Sequence, residues 1–305
     1  MSHQKLDYKP ILAGILSSLI FGFSFLFTKL ALTSSNNNIM EVISFRFGVA
    51  AIILLILKML GIIKMNYRSK DIKPLFVLSL FYPAIYFICE SAGIKLTSTS
   101  EAGTMIALIP IFVTLLASIF LKEKTTPIQK LCIFISVGGV IFINLMKYES
   151  NNNFTGIAIL FAAVISAAIY NILSRKMAST FTSIEITYIM MWAGAIFFNL
   201  ILFIQHLYNK TLLNYFNHLH DPKFIFPIIY LGIFSSIIAF FLMNYTLAKL
   251  NASKASSFSN LSTVVSIAAG VIILKEDFSW YHAVGILLIL FGIWGVNKFD
   301  NKSIL

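Results

Sequence analysis

Long apolar runs separated by short polar ones dominate the chain. A helix that crosses a bilayer needs about 20 mainly apolar residues. Ten runs meet that need: 11–32, 39–57, 74–93, 102–121, 128–146, 154–174, 185–205, 224–248, 254–274 and 280–298. Most connections are short and carry Asn, Ser, Thr and Lys. The longest, 206–223, holds Asn209, Asn214, Asn217, Asp221 and Pro222. The pattern predicts an all-α integral membrane protein with ten transmembrane helices. The first run is long enough to span and has no small-residue cleavage site behind a short apolar core, so it is expected to be retained.

Composition agrees with this pattern. Of 305 residues, 58% are hydrophobic and 11% charged, and the mean hydropathy is +0.87. A soluble domain carries about 25% charged residues. Too few polar side chains remain to cover a soluble surface, and the hydrophobicity is too high for disorder. The net charge of +11 lies between the apolar runs, not on one solvated face, so it argues against a nucleic-acid partner. With the N-terminus inside, sixteen Lys and Arg fall on the cytoplasmic side, from Lys5 and Lys9 to Lys298 and Lys302. Five fall outside: Lys95, Lys147, Lys210, Lys223 and Lys275. Lys29 and Arg46 lie within runs. This positive-inside bias predicts a multi-pass cell-membrane protein with both termini cytoplasmic. Cys89 and Cys132 sit in apolar runs and are expected to be buried thiols.

The chain repeats itself at an offset of 153 residues. Leu121-Lys122-Glu123 matches Leu274-Lys275-Glu276, Gly139 matches Gly292, and Asn144 matches Asn297. Ala102, Leu108, Ile119 and Ile133 find identical partners at the same distance. The repeat is five runs long, so the second copy enters the membrane from the opposite side. Two inverted five-helix repeats, 10–146 and 154–298, are therefore expected about a pseudo-two-fold axis in the membrane plane. That is the build of many secondary transporters, whose substrate site lies near the bilayer midplane.

Further residues carry a family resemblance. Phe21-Gly22-Phe23-Ser24-Phe25 followed by Lys29, Phe45-Arg46-Phe47 with Ala50-Ala51, Pro110 before Leu121-Lys122-Glu123, and Tyr170-Asn171 with Arg175-Lys176 follow in order. Together they resemble EamA-type members of the drug/metabolite transporter superfamily. Phe21 stands where that family usually has Trp, and Thr263 stands where the second repeat would match Pro110. The resemblance implies a ten-helix carrier with a central cavity lined by both repeats, moving small organic metabolites, often outward. An amino acid or similar metabolite is the first expectation, and a nucleotide-sugar-type exchanger the alternative within the superfamily. An intramembrane transferase is the alternative from another class.

Charges inside a bilayer are costly and mark candidate sites. Arg46 and Glu90 both lie in the outer half of the first repeat, at depths that allow pairing. They are read equally as a structural ion pair or as substrate or proton groups. Lys29 is nearer a helix end and is expected to snorkel to the headgroups. Tyr82 and Tyr86 share a face with Glu90, and Pro83 between them is expected to bend the helix. Ser24, Tyr170, Asn171, Asn244, Tyr245 and Asn260 complete a candidate polar cavity for a neutral or zwitterionic metabolite. Protons are a candidate coupling ion through Glu90. The bland reading of each amide or hydroxyl is a helix-to-helix hydrogen bond, worth about 0.6 kcal/mol.

No P-loop and no H-E-x-x-H motif is present, so neither a nucleotide-driven motor nor a zinc protease is indicated, and no cofactor is expected. His218, His220 and Asp221 are read as a solvated turn in preference to a metal site. Gly285 and Gly292 mark either a packing seam or a homodimer face, which leaves monomer and homodimer open. The expected partners are the lipid bilayer and a small-molecule substrate.

Overall fold

The structure is a computed structural model that describes residues 8–68, 70–97, 102, 105–146, 154–275 and 277–299. Lys5, Lys147, Glu276, Lys302 and both chain ends lie outside the described residues. Ten helical segments follow one another: α1 (Lys9–Ser34), α2 (Ile39–Met59), α3 (Lys73–Leu96), α4 (Ile109–Leu121), α5 (Pro127–Met146), α6 (Phe154–Met177), α7 (Ser183–Tyr208), α8 (Pro222–Lys249), α9 (Ala252–Ile273) and α10 (Trp280–Lys298). Eight are long and apolar enough to cross a membrane. The other two, α4 and the Pro127–Ile143 part of α5, are shorter apolar helices. No strand occurs among the described residues.

Helix ends follow local chemistry. Pro10, Pro74, Pro110 and Pro222 stand in the first turns of α1, α3, α4 and α8, where a missing N–H costs nothing. The predicted run 102–121 thus forms α4 from Ile109 onward. Asn38 caps α2 by accepting the Glu41 N–H, and Thr182 caps α7 in a reciprocal box with Glu185. Both acids lie in a first turn, where the helix dipole favours negative charge.

Two long helices are widened in the middle. Leu80–Ile85 of α3 and Tyr230–Ala239 of α8 are π-helical. In α3 the cause is local: Pro83 has no N–H to give, and Tyr82 leaves the helical region at φ −139°, ψ 105°. The bend expected at Pro83 is therefore present. Shifted by the repeat distance, 80–85 falls on 233–238, inside the π segment of α8.

Packing pairs α1 with α9, α2 with α7, α3 with α6, and α5 with α10. The α5–α10 seam is close because it is built on glycine. A Cβ on Gly285 would lie 2.8 Å from the Gly139 carbonyl oxygen, and one on Gly292 would lie 2.5 Å from that of Cys132. Gly285 and Gly292 thus serve an internal seam. Ile119, Phe120, Ile272, Leu287 and Phe291 point outward, as suits a lipid-facing surface.

Candidate functional site

A central cavity lies among α1, α2, α3, α4, α6, α8 and α9. Its α1 wall reads Gly14, Ser17, Ser18, Phe21, Ser24 and Phe25, which is one face at helical spacing. Each serine is satisfied within its own helix: Ser17 and Ser18 donate to the Gly14 carbonyl, and Ser24 to that of Ile20. A wall of small hydroxyls is therefore polar without leaving donors orphaned. Ser256, Ser259 and Ser262 of α9 face it in the same manner. The cavity holds about 60 Å³, which suits a few waters, whereas organic ligands occupy pockets of about 300 Å³ or more.

Arg46 is the largest fully buried side chain, 2% exposed. Its Nε donates to Ser236 Oγ at 2.8 Å and its Nη2 to Ser235 Oγ at 2.6 Å. The guanidinium lies over the Phe87 ring, 4.1 Å from its centroid. Ser235 and Ser24 also share a hydroxyl-to-hydroxyl hydrogen bond, Oγ to Oγ at 2.8 Å, which ties α1, α2 and α8 at one point. These contacts replace water around a buried cation with hydroxyl oxygens and a ring face. Glu90 is also buried and accepts from the Tyr86 hydroxyl at 2.9 Å. Tyr86 stacks on Tyr82 at 3.9 Å.

Arg46 and Glu90 line the same cavity but do not pair. Among the described residues the ion pairs within 4.0 Å are Lys70–Glu185, Arg175–Glu123 and His218–Glu41. Nη1 of Arg46 and the second carboxylate oxygen of Glu90 keep no protein partner among those residues. Asn171 adds a third open group: its Nδ2 donates to the Ala167 carbonyl, while its Oδ1 is buried without a partner.

The ten residues singled out from the sequence divide as follows. Ser24, Arg46, Tyr82, Tyr86, Glu90 and Asn171 line the cavity. Tyr170 stands behind it, its ring 4.7 Å from Tyr82 and its hydroxyl donating to Asn244 Oδ1 at 2.6 Å. Asn244 is fully buried, accepts also from Ser174 at 2.7 Å and donates to Thr187 at 3.0 Å. It joins α6, α7 and α8 and is absent from the wall. Asn260 turns to Ser136 of α5, and Tyr245 is half-buried away from the cavity.

Lys29 donates to the Ile94 and Thr97 carbonyls at 3.0 and 3.3 Å, capping the end of α3. His218 engages Glu41, and Asp221 accepts the Lys223 N–H. Among the described residues no three His, Cys, Asp or Glu side chains gather as a metal would require. Ser235, Ser236 and Phe87 were not singled out, because serine and phenylalanine are ordinary in apolar helices. The serine spacing on α1 was the available signal.

The EamA-like transporter family model matches this chain twice, at residues 8–145 and 154–298. "Uncharacterized transporter YcxC" of Bacillus subtilis (strain 168) is 38% identical over 94% of this chain and 92% of its own. An "Uncharacterized transporter" of Archaeoglobus fulgidus is 31% identical over 84% and 87%. The "Probable terminal-alkyne amino-acid exporter" of Streptantibioticus cattleyicolor is 23% identical over 76% and 75%. One crystal structure matches with a TM-score of 0.69 over 93% of this chain and 99% of that chain, at 17% identity, a likeness of fold alone. Doubled family match, apolar helices and relatives together place this chain in the membrane and make it a member of the EamA-like transporter family.

Proposed function

We propose that the protein is a ten-helix secondary transporter that exports a small zwitterionic metabolite, an amino acid or similar molecule, by alternating access. Its two units are the inverted five-helix repeats 10–146 and 154–298. The observation that carries the substrate reading is the cavity's pair of buried, opposite and mutually unpaired charges. Nη1 of Arg46 can take a carboxylate and the open oxygen of Glu90 an ammonium, while Phe21, Phe25 and Met243 offer apolar contact. The exporter named above among the relatives supports the same class.

The helix pairs support the inverted reading. Exchanging α1–α5 for α6–α10 turns the α1–α9 pair into α6–α4 and the α3–α6 pair into α8–α1, and both of these contacts exist. The α2–α7 and α5–α10 pairs exchange into themselves. The caps exchange as well. Lys29 of α1 holds the end of α3, and Arg175 of α6 holds the Leu247 and Ala248 carbonyls at the end of α8, at 3.2 and 3.0 Å. The basic-residue count puts the 209–221 connector outside and both termini in the cytoplasm.

Purified protein in liposomes should exchange radiolabelled L-amino acids from a panel of apolar and polar members. Arg46→Gln and Glu90→Gln should each abolish that exchange while inserting normally. Exchange of amino acids at wild-type rate by both variants would refute the substrate reading.

A further inference from the structure

The acids in the first turns of α2 and α7 occupy matching places in the two repeats, and each is held by the connector of the other repeat. The 60–72 connector brings Lys70 Nζ to Glu185 Oε2 at 2.8 Å. The same carboxylate accepts the Asn66 N–H at 2.8 Å, and the Tyr67 hydroxyl donates to the Glu185 carbonyl at 2.9 Å. On the opposite face the 209–221 connector brings His218 Nδ1 to Glu41 Oε1 at 2.6 Å. Both carboxylates are buried, 3% and 4% exposed. Each contact ties a connector of one repeat to the first helical turn of the other, but the two differ in chemistry. Lysine keeps its charge throughout the physiological range, and imidazole gains and loses its proton there.

From this asymmetry we infer that His218–Glu41 is a proton-sensitive latch that closes the 209–221 face, whereas Lys70–Glu185 is its pH-insensitive counterpart. The inference rests on the alternating-access reading. Three imidazoles stand in or beside the 209–221 connector, His206, His218 and the exposed His220, and among the described residues His218 is the one whose ring meets a carboxylate. From α2 it faces Glu41; from α7, His206, whose Nδ1 is engaged with Thr211 at 2.9 Å; from α8, the Phe224 ring at 5.7 Å. Tyr215 of the connector donates to Asn199, and burial first and Glu41 second push its hydroxyl up, so it keeps its proton. Asp221 is occupied by the Lys223 N–H, and Lys223 is exposed. Low pH charges His218 and adds a charge-assisted bond to Glu41. High pH removes the charge and leaves at most a neutral hydrogen bond. The 209–221 face is therefore held closed in acid and released as pH rises. On the opposite face burial and then Glu185 push the Tyr67 hydroxyl up, so nothing there changes over the same range.

The test places one cysteine in the cavity, Ser18→Cys, in a chain with Cys89 and Cys132 replaced by Ala. A membrane-impermeant methanethiosulfonate is applied to vesicles of each orientation at about pH 5.5 and about pH 8. Thiol ionisation speeds labelling with pH in every case, so each rate is divided by that of the same cysteine in His218→Gln. From the 209–221 face the ratio should be about threefold lower at the acid pH, the size expected of a partly exposed ion pair. From the other face it should rise. His218→Lys should hold the 209–221 face closed at both pH values, and Lys70→Ala should raise labelling from the opposite face alone. Ratios independent of pH from both faces, with His218→Lys equal to wild type, would overturn the latch and leave alternating access standing. A cysteine inert from both faces under all conditions would overturn both.

Discussion

At the scale of single residues, the decisive fact is that Arg46 and Glu90 line one cavity without forming a direct ion pair. Two buried charges are tolerated only when other groups replace their water. Ser235, Ser236 and Phe87 do this for Arg46, and Tyr86 does it for Glu90. Nη1 of Arg46 and one carboxylate oxygen of Glu90 are left without a protein partner among the described residues. It follows that Glu90→Gln should insert at normal levels and lose most flux, whereas loss of the protein itself, restored by Arg46→Gln on the same background, would mean that the charges support the fold. Ser236→Ala should leave the Arg46 Nε–H without its acceptor, at a cost of about 1–3 kcal/mol. KM for the exchanged amino acid should rise about tenfold with little change in kcat, and Ser236→Thr should recover most of it. Wild-type KM in Ser236→Ala would show that Ser235 and Phe87 suffice to hold the guanidinium.

At the scale of elements, α3 and α8 carry their π segments at matching places for different local reasons. Pro83 removes a donor in α3, whereas the α8 segment holds no proline; its Pro227 lies before Tyr230. In α8 two adjacent serines meet one guanidinium. Adjacent residues on a regular helix face directions about 100° apart, and a π turn is a common local departure at functional sites. The α5–α10 seam makes a second point. Its glycines admit backbone atoms so closely that a large side chain has nowhere to go. Gly292→Leu should lower stability by about 1–3 kcal/mol, read as an earlier thermal transition in detergent. Gly138→Leu, where an added Cβ meets nothing within 4 Å, should leave the transition in place. Equal effects of the two would argue against the seam.

At the scale of the whole molecule, the expectation is a cavity that faces one side at a time. Cysteine at Tyr86 or Ser256 should react with a permeant thiol reagent and be protected by substrate; cysteine at Asn244, enclosed by Tyr170, Ser174 and Thr187, should stay inert. Reactivity at Asn244 with protection there would redraw the wall. The sequence by itself determined the membrane class, the helical segments, the doubled family pattern and the candidate charges, because these depend on local composition, on spacing and on the high cost of charge in lipid. It also singled out six of the residues that line the cavity. Only the tertiary structure decided which polar side chains meet. Asn244, Asn260 and Lys29 are spent on helix-to-helix bonds and a cap, and Arg46 is held by serines about 190 residues away. The direction a side chain faces on an apolar helix depends on neighbours distant in the chain. Where nearly every position of a helix is apolar, periodicity does not mark which face meets protein and which meets lipid.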